Sequence, residues 1–124
     1  MPVRGIRGAV DLARNSKGEI LSKTDTLLRA MIRANRVKAE DVAAAIFSLT
    51  PDLDAEFPAI AARKLGWTDV PLMCAVELAV PHGMKKVVRV LLLVNTGLAA
   101  SKIRHQYLGG TPALRPDLAR KKKR

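Results

Sequence analysis

Between Lys86 and Asn95 the chain reads Lys-Val-Val-Arg-Val-Leu-Leu-Leu-Val-Asn, and this stretch restricts the fold more sharply than any other. A short, β-branched apolar run of this kind is a buried strand. Period-two alternation puts Arg89 with Leu91 and Leu93 on one face and Val88, Val90, Leu92 and Val94 on the other. Both faces are apolar, so burial on both sides is expected. A guanidinium stays charged at any accessible pH and needs an anion when water is withdrawn. Arg89 should therefore point into a polar cleft, toward a subunit interface, or at a carboxylate such as Glu77; a purely structural Arg89–Glu77 pair is the plain alternative to a functional role.

Two further arginines share the pattern of a cation set among apolar or turn-forming neighbours: Arg7 in Val-Arg-Gly-Ile-Arg-Gly-Ala (3–9) and Arg115 in Leu-Arg-Pro-Asp-Leu (114–118). The formal net charge is +11, of which Arg120, Lys121, Lys122, Lys123 and Arg124 supply five, leaving +6 for the rest. The residual excess favours an anionic ligand. The terminal run reads as a solvated, disordered tail at 120–124. Only 3% of the residues are aromatic, namely Phe47, Phe57, Trp67 and Tyr107. A reader of single-stranded nucleic acid needs aromatic platforms for base stacking, so that class is disfavoured.

At 124 residues the chain suits one domain, over 1–119, with a single core of Leu, Val, Ile and Ala. A lone cysteine, Cys74, excludes an internal disulfide and the usual structural zinc sets, which points to a reducing compartment. No apolar run is long enough to span a bilayer, and the N-terminus has no signal-like segment. The expectation is a soluble cytoplasmic protein without membrane contact.

Along the chain, Val3 to Val10 is expected as a strand whose Gly5 and Gly8 mark a close approach to its backbone. Ser16 to Glu19 has capping-box spacing, and Ile20, Leu21, Thr24, Leu27, Leu28, Met31 and Ile32 recur at helical intervals up to Asn35, read as the left-handed stop. Asp41 to Leu49 is taken as a strand, Phe57 to Leu65 as a second helix closed by Gly66, and Val70 to Val76 as a third strand. Val80 to Gly83 is a turn before the Lys86 strand, and Gly109 to Pro112 breaks the chain before a last turn. The order predicts an α/β (α+β) protein, a mixed sheet with helices on one face.

Several of these segments together resemble one family, the AroH-type chorismate mutases. The likeness covers 3 to about 118 and is carried by VRGIRGA (3–9), TPDLDAEFPAIAARKLGW (50–67), VPLMCAVE (70–77), KKVVRVLLLVNT (85–96), IRHQYL (103–108) and LRPDL (114–118). It implies a homotrimeric pseudo-α/β-barrel with active sites between subunits. The implied activity is that of an isomerase of the shikimate pathway, the Claisen rearrangement of chorismate to prephenate for aromatic amino-acid biosynthesis. Neither cofactor, metal nor covalent intermediate is implied.

Carried over residue by residue, the resemblance makes Arg89 the cation at the breaking ether oxygen, with Arg7 gripping the side-chain carboxylate and Tyr107 donating to the same region. Glu77 and Cys74 meet the ring hydroxyl, Glu77 by orientation rather than as a general base. Phe57, Ala59, Met73 and Leu114 become wall or rim, and Arg63 and Arg115 positive groups near the ring carboxylate. The bland readings are a core role for Phe57 and Leu114, a solvated helical charge for Arg63, and a half-buried strand tyrosine for Tyr107. His82 and His105 are read as structural, since no third residue orients either ring. Departures are the glycine pair Gly109-Gly110, expected to loosen the segment leading to Leu114 and Arg115, the apolar Ile60, and the basic terminus. Rival readings are a basic RNA-binding module using Arg4, Arg7, Arg63, Arg104, Arg115 and the tail, and a noncatalytic regulatory homologue.

Overall fold

A computed structural model describes residues 1–117. The basic run expected as a tail, together with the last positions of the expected domain, lies outside the described residues. Five strands form one sheet: β1 (Val3–Asp11), β2 (Val42–Leu49), β3 (Leu72–Val76), β4 (Val87–Asn95) and β5 (Gln106–Tyr107), in the spatial order β3-β2-β4-β1-β5. β4 lies at the centre, antiparallel to both neighbours, while β2–β3 and β1–β5 pair in parallel. The sheet is mixed; the helix α1 (Lys17–Asn35) connects β1 to β2 across the intervening β4, and α2 (Ala59–Lys64) is the crossover between the parallel pair β2 and β3.

Both helices pack into one core. Ile20, Leu27, Leu28 and Met31 of α1 and Ala61 and Ala62 of α2 share a cluster with Ile6, Phe47, Val88, Val90, Leu92 and Val94. One face of β4 is thus closed. The other, carrying Arg89, Leu91 and Leu93, is only partly buried in the single chain, which corrects the expectation of burial on both sides. The reason is topological: the two helices lie over the same side of the sheet. Gly8 meets α1 closely, for a Cβ built on it would come within 2.4 Å of the Met31 sulfur. That is the close approach its glycine implied.

Ser16 caps α1 by accepting the Glu19 N–H, and Glu19 in turn accepts from Ala13 and Arg14 at 2.7 and 3.1 Å. The helix ends differently from expectation. Arg36, not Asn35, takes the left-handed conformation, at φ 51°. Asn35 stays helical and buried because its amide has another use: it donates to Arg104 O at 2.9 Å and accepts from Arg104 N at 2.8 Å, bracketing the approach to β5. The other predicted elements fall close to their spans, with α2 shortened to Ala59–Lys64 and Gly66 at φ +94° after it, while β5 is a strand that had no predicted span.

The entrance to β4 is held by a polar clasp. The Thr50 hydroxyl accepts from Val87 N at 3.0 Å and donates to Asp52 at 2.5 Å, and the Asp52 carboxylate accepts the Lys86 N–H at 3.0 and 3.2 Å. At the other end of the chain, Gly109 at φ +62° lets Gly110 N donate to Asp11 at 3.0 Å, while the Thr111 hydroxyl bonds Ala9 O at 3.1 Å. The glycine pair therefore forms a hydrogen-bonded turn.

Two expected outcomes concern stability. Thr24 faces the core with its hydroxyl buried and unpartnered. Thr24→Val should raise unfolding free energy by about 1 kcal/mol, read as a higher urea midpoint at unchanged slope. The Asp52 carboxyl is pulled below its ordinary value of 3.8: burial raises it, but the Thr50 hydroxyl, the backbone N–H groups of Lys86 and Asp52 and the Lys86 charge together outweigh burial. A lowered folded-state pKa means the contribution is whole above about 3.9 and is lost as pH falls through the folded value. Asp52→Asn should lower the urea midpoint at pH 7, and the gap to the parent should shrink at pH 3.

Candidate active site

The sheet register draws two rows of side chains across the face away from the helices. One runs Ala75 (β3), Ser48 (β2), Arg89 (β4), Ala9 (β1), Tyr107 (β5); the next runs Met73, Ile46, Leu91, Arg7. Residues paired across strands share a face, so Arg89, Arg7, Tyr107 and Met73 all belong to this side. Arg7 is the diagonal neighbour of Arg89. Strand spacing of about 4.8 Å puts Tyr107 about 10 Å from Arg89 along its row.

Glu77 follows directly after β3. Its N–H bonds Leu49 O at 2.9 Å, which extends the β2–β3 ladder and turns the carboxylate back over β2. There it meets Arg89 through Nε, 3.0 Å from Oε1 and 3.1 Å from Oε2, and accepts the Ser48 hydroxyl at 2.8 Å on Oε2. The Arg89 side chain is 43% exposed and that of Glu77 18%. Pairing through Nε leaves the terminal Nη donors of Arg89 for another acceptor. The structural alternative for this pair is thus present in the single chain, and it also aims the cation outward.

Arg7 is exposed beside a shallow recess of about 290 Å³ lined by Arg4, Gly5, Leu91, Ala100, Ile103 and His105. Its own backbone N–H donates to His105 Nδ1 at 2.9 Å, which gives that histidine a structural task. Tyr107 is buried rather than half-buried, packed with Ala9 and Val87 and touched by Met84 and Leu114. Leu114 closes the turn Thr111–Leu114. Arg115, next along, pairs with Asp117 at 2.9 and 3.2 Å, and this ion pair raises the guanidinium pKa.

Other expected site residues stand apart from Arg89. The Cys74 side chain shares a face with Phe47 and packs against the core, on the helix side of the sheet, so within the single chain it lies away from Arg89. Alternation is the cause: Met73 and Cys74 are neighbours and cannot face the same way. Ala59 is 4% exposed within the core and forms no pocket wall in the single chain. Phe57 is 65% exposed and Met73 62%, the first just before α2 and the second on edge strand β3, so neither is the core residue its chemistry suggests. Arg63 is a solvated helical charge on α2.

Ser48 was missed by sequence reasoning. The signal was available, for it is the one polar side chain in Val-Ala-Ala-Ala-Ile-Phe-Ser-Leu. What the arrangement offers chemically is fixed positive charge and hydrogen-bond donors. Among the described residues, no group of three or more His, Cys, Asp and Glu is placed to hold a metal ion. Nor is any helix among them long and apolar enough to cross a membrane.

Comparison with known proteins places the chain in a family. The family model for chorismate mutase type I matches residues 3–118. The chain is 48% identical over 120 residues to chorismate mutase AroH of Bacillus subtilis, covering 96% of this chain and 94% of that one. It is 44% identical over 117 residues to chorismate mutase AroH of Thermus thermophilus, covering 94% and 96%. A chorismate mutase from Clostridium thermocellum superposes with a TM-score of 0.87 at 43% identity, over 88% of this chain and 97% of that chain. On sequence and on fold alike, the chain belongs to the chorismate mutase type I family.

Proposed function

We propose that this protein converts chorismate to prephenate by a Claisen rearrangement, in the cytoplasm, at sites completed where copies of the chain meet in a trimer. The observation that carries the reading is Arg89: a part-exposed cation on the central strand, on the face away from the helices, held through Nε by Glu77. In the rearrangement the breaking ether bond sheds negative charge onto oxygen. A donor fixed where that charge develops stabilises the transition state more than the substrate. The atoms reorganise within one molecule, so no proton, hydride or acyl group needs a carrier.

Arg7, the diagonal neighbour of Arg89, takes a carboxylate of the dianion, and Tyr107 lies along the same face at its far edge. Gripping both ends of the substrate holds the reacting arm over the ring, which removes part of the entropic barrier. Glu77 orients the ring hydroxyl, with the Cys74 backbone, rather than its thiol, at hand on the adjoining strand. Phe57, Arg63 and Met73 belong to the neighbouring copy's share of the pocket, with Leu114 and Arg115 closing over it. Support for an intersubunit site comes from the open face itself: Leu91 and Leu93 are half-covered, and Val3 and Met73 are exposed. Soluble monomers rarely leave such a patch uncovered.

Purified protein mixed with chorismate should accelerate loss of its ultraviolet absorbance and yield prephenate. Arg89→Ala should reduce turnover by about 10² to 10³ while the far-ultraviolet circular dichroism stays that of the parent. Wild-type protein without any acceleration would sink the activity, and a fully active Arg89→Ala would sink the mechanism.

A further inference from the structure

We infer that Ser48 is a positioning residue for this reaction, acting through Glu77 on the orientation of the Arg89 guanidinium. The inference rests on the function proposed above and assigns a task to a residue which that reading leaves idle.

Glu77 sits one residue beyond an edge strand, and its side chain has to reach over β2 to meet β4. A glutamate has three rotatable bonds and loses much of its rotamer freedom when held in one geometry. Arg89 does not supply the hold alone: its one engaged donor, Nε, is shared between the two carboxylate oxygens, and the carboxylate plane can still turn about the axis of that contact. Ser48 supplies the second fixed point. It lies between Ala75 and Arg89 in the cross-strand row, on a strand paired along both edges, and its short side chain donates at 2.8 Å to the oxygen that also receives Nε. Two donors from two strands define the carboxylate, and the carboxylate defines the direction of the Nη groups. An ionised acceptor makes both hydrogen bonds stronger than neutral ones.

The expected signature is a loss in turnover rather than in folding. Ser48→Ala should lower kcat about tenfold, the low end of what one hydrogen bond to an ionised group is worth, with KM for chorismate changed less than threefold. Ser48→Thr keeps the hydroxyl and suits a strand, and should recover kcat to within threefold of wild type. Ser48→Cys, close in volume but a weak donor, should behave as the alanine variant; it provides a folded comparison should alanine loosen the strand. Thermal midpoints of the alanine and cysteine variants should lie within a few degrees of the parent. Wild-type kcat in either of them, a change confined to KM, or a threonine variant as slow as alanine would each overturn the inference. Arg89→Ala measured alongside separates the two levels: if it is fast, the site reading fails, whereas a slow Arg89→Ala beside a fast Ser48→Ala defeats only the role given to Ser48.

Discussion

A cation on the middle strand of a sheet has to be balanced before anything can be built around it. Arg89 is flanked on its own face by Val87 and Leu91, and across the strands by Ala9 and Ser48, none of which carries charge. Its counter-charge comes from outside the ladder, from Glu77 just past β3. The pair is too exposed to matter much for stability, since ion pairs of this kind contribute about 0–1 kcal/mol. Its value lies in direction. A guanidinium engaged through Nε has a defined plane, and its remaining donors lie in that plane.

Keeping that direction depends on where β4 starts. Lys86 has a positive φ of 52°, and its N–H is held by both oxygens of Asp52, so the chain enters the sheet at a set register. Thr50 closes the same junction from β2, through Val87 on both its backbone and its hydroxyl. Arg89 follows within one pleat repeat of this clasp. On the opposite flank Asp11 and Thr111 tie the Gly109-Gly110 turn to β1, and so fix Leu114 over Tyr107. Polar contacts at strand ends thereby determine where the site's side chains stand, while the apolar cluster beneath only holds the sheet flat against its helices.

Much of this was legible in the sequence because local rules governed it. The cap at Ser16, the helical recurrence through Met31, the β-branched run at Val87 and the glycine at 66 are short-range signals, and each produced its element. Period two likewise put Arg89, Leu91 and Leu93 on one face. What stayed hidden was set by long-range partners. Asn35 looked like a helix stop until Arg104, far along the chain, claimed its amide. Ser48 gave no sign of its task, because its partner, Glu77, is brought to it only by the pairing of β2 with β3. Cys74 and Met73 entered the expected site together by resemblance, yet alternation allows only one of two neighbours to face Arg89.

The separation of the expected residues is itself informative about how such a site is assembled. Arg89, Glu77, Arg7 and Tyr107 ride on one face of four different segments, whereas Arg63 rides on the helix layer and Phe57 on the loop leading into it. A chain that placed all of them around one cavity would have to cover the outer face of β4 with its own helices, and both helices are already committed to the inner face. Covering that face with another copy's surface resolves both difficulties together. It would withdraw water from Leu91, Leu93 and the Arg89 donors, and strengthen the field of the guanidinium just where an anion is to be met. On the proposed intersubunit reading, the openness of Arg89 in the single chain leaves room for substrate that an arginine sealed by its own fold would lack.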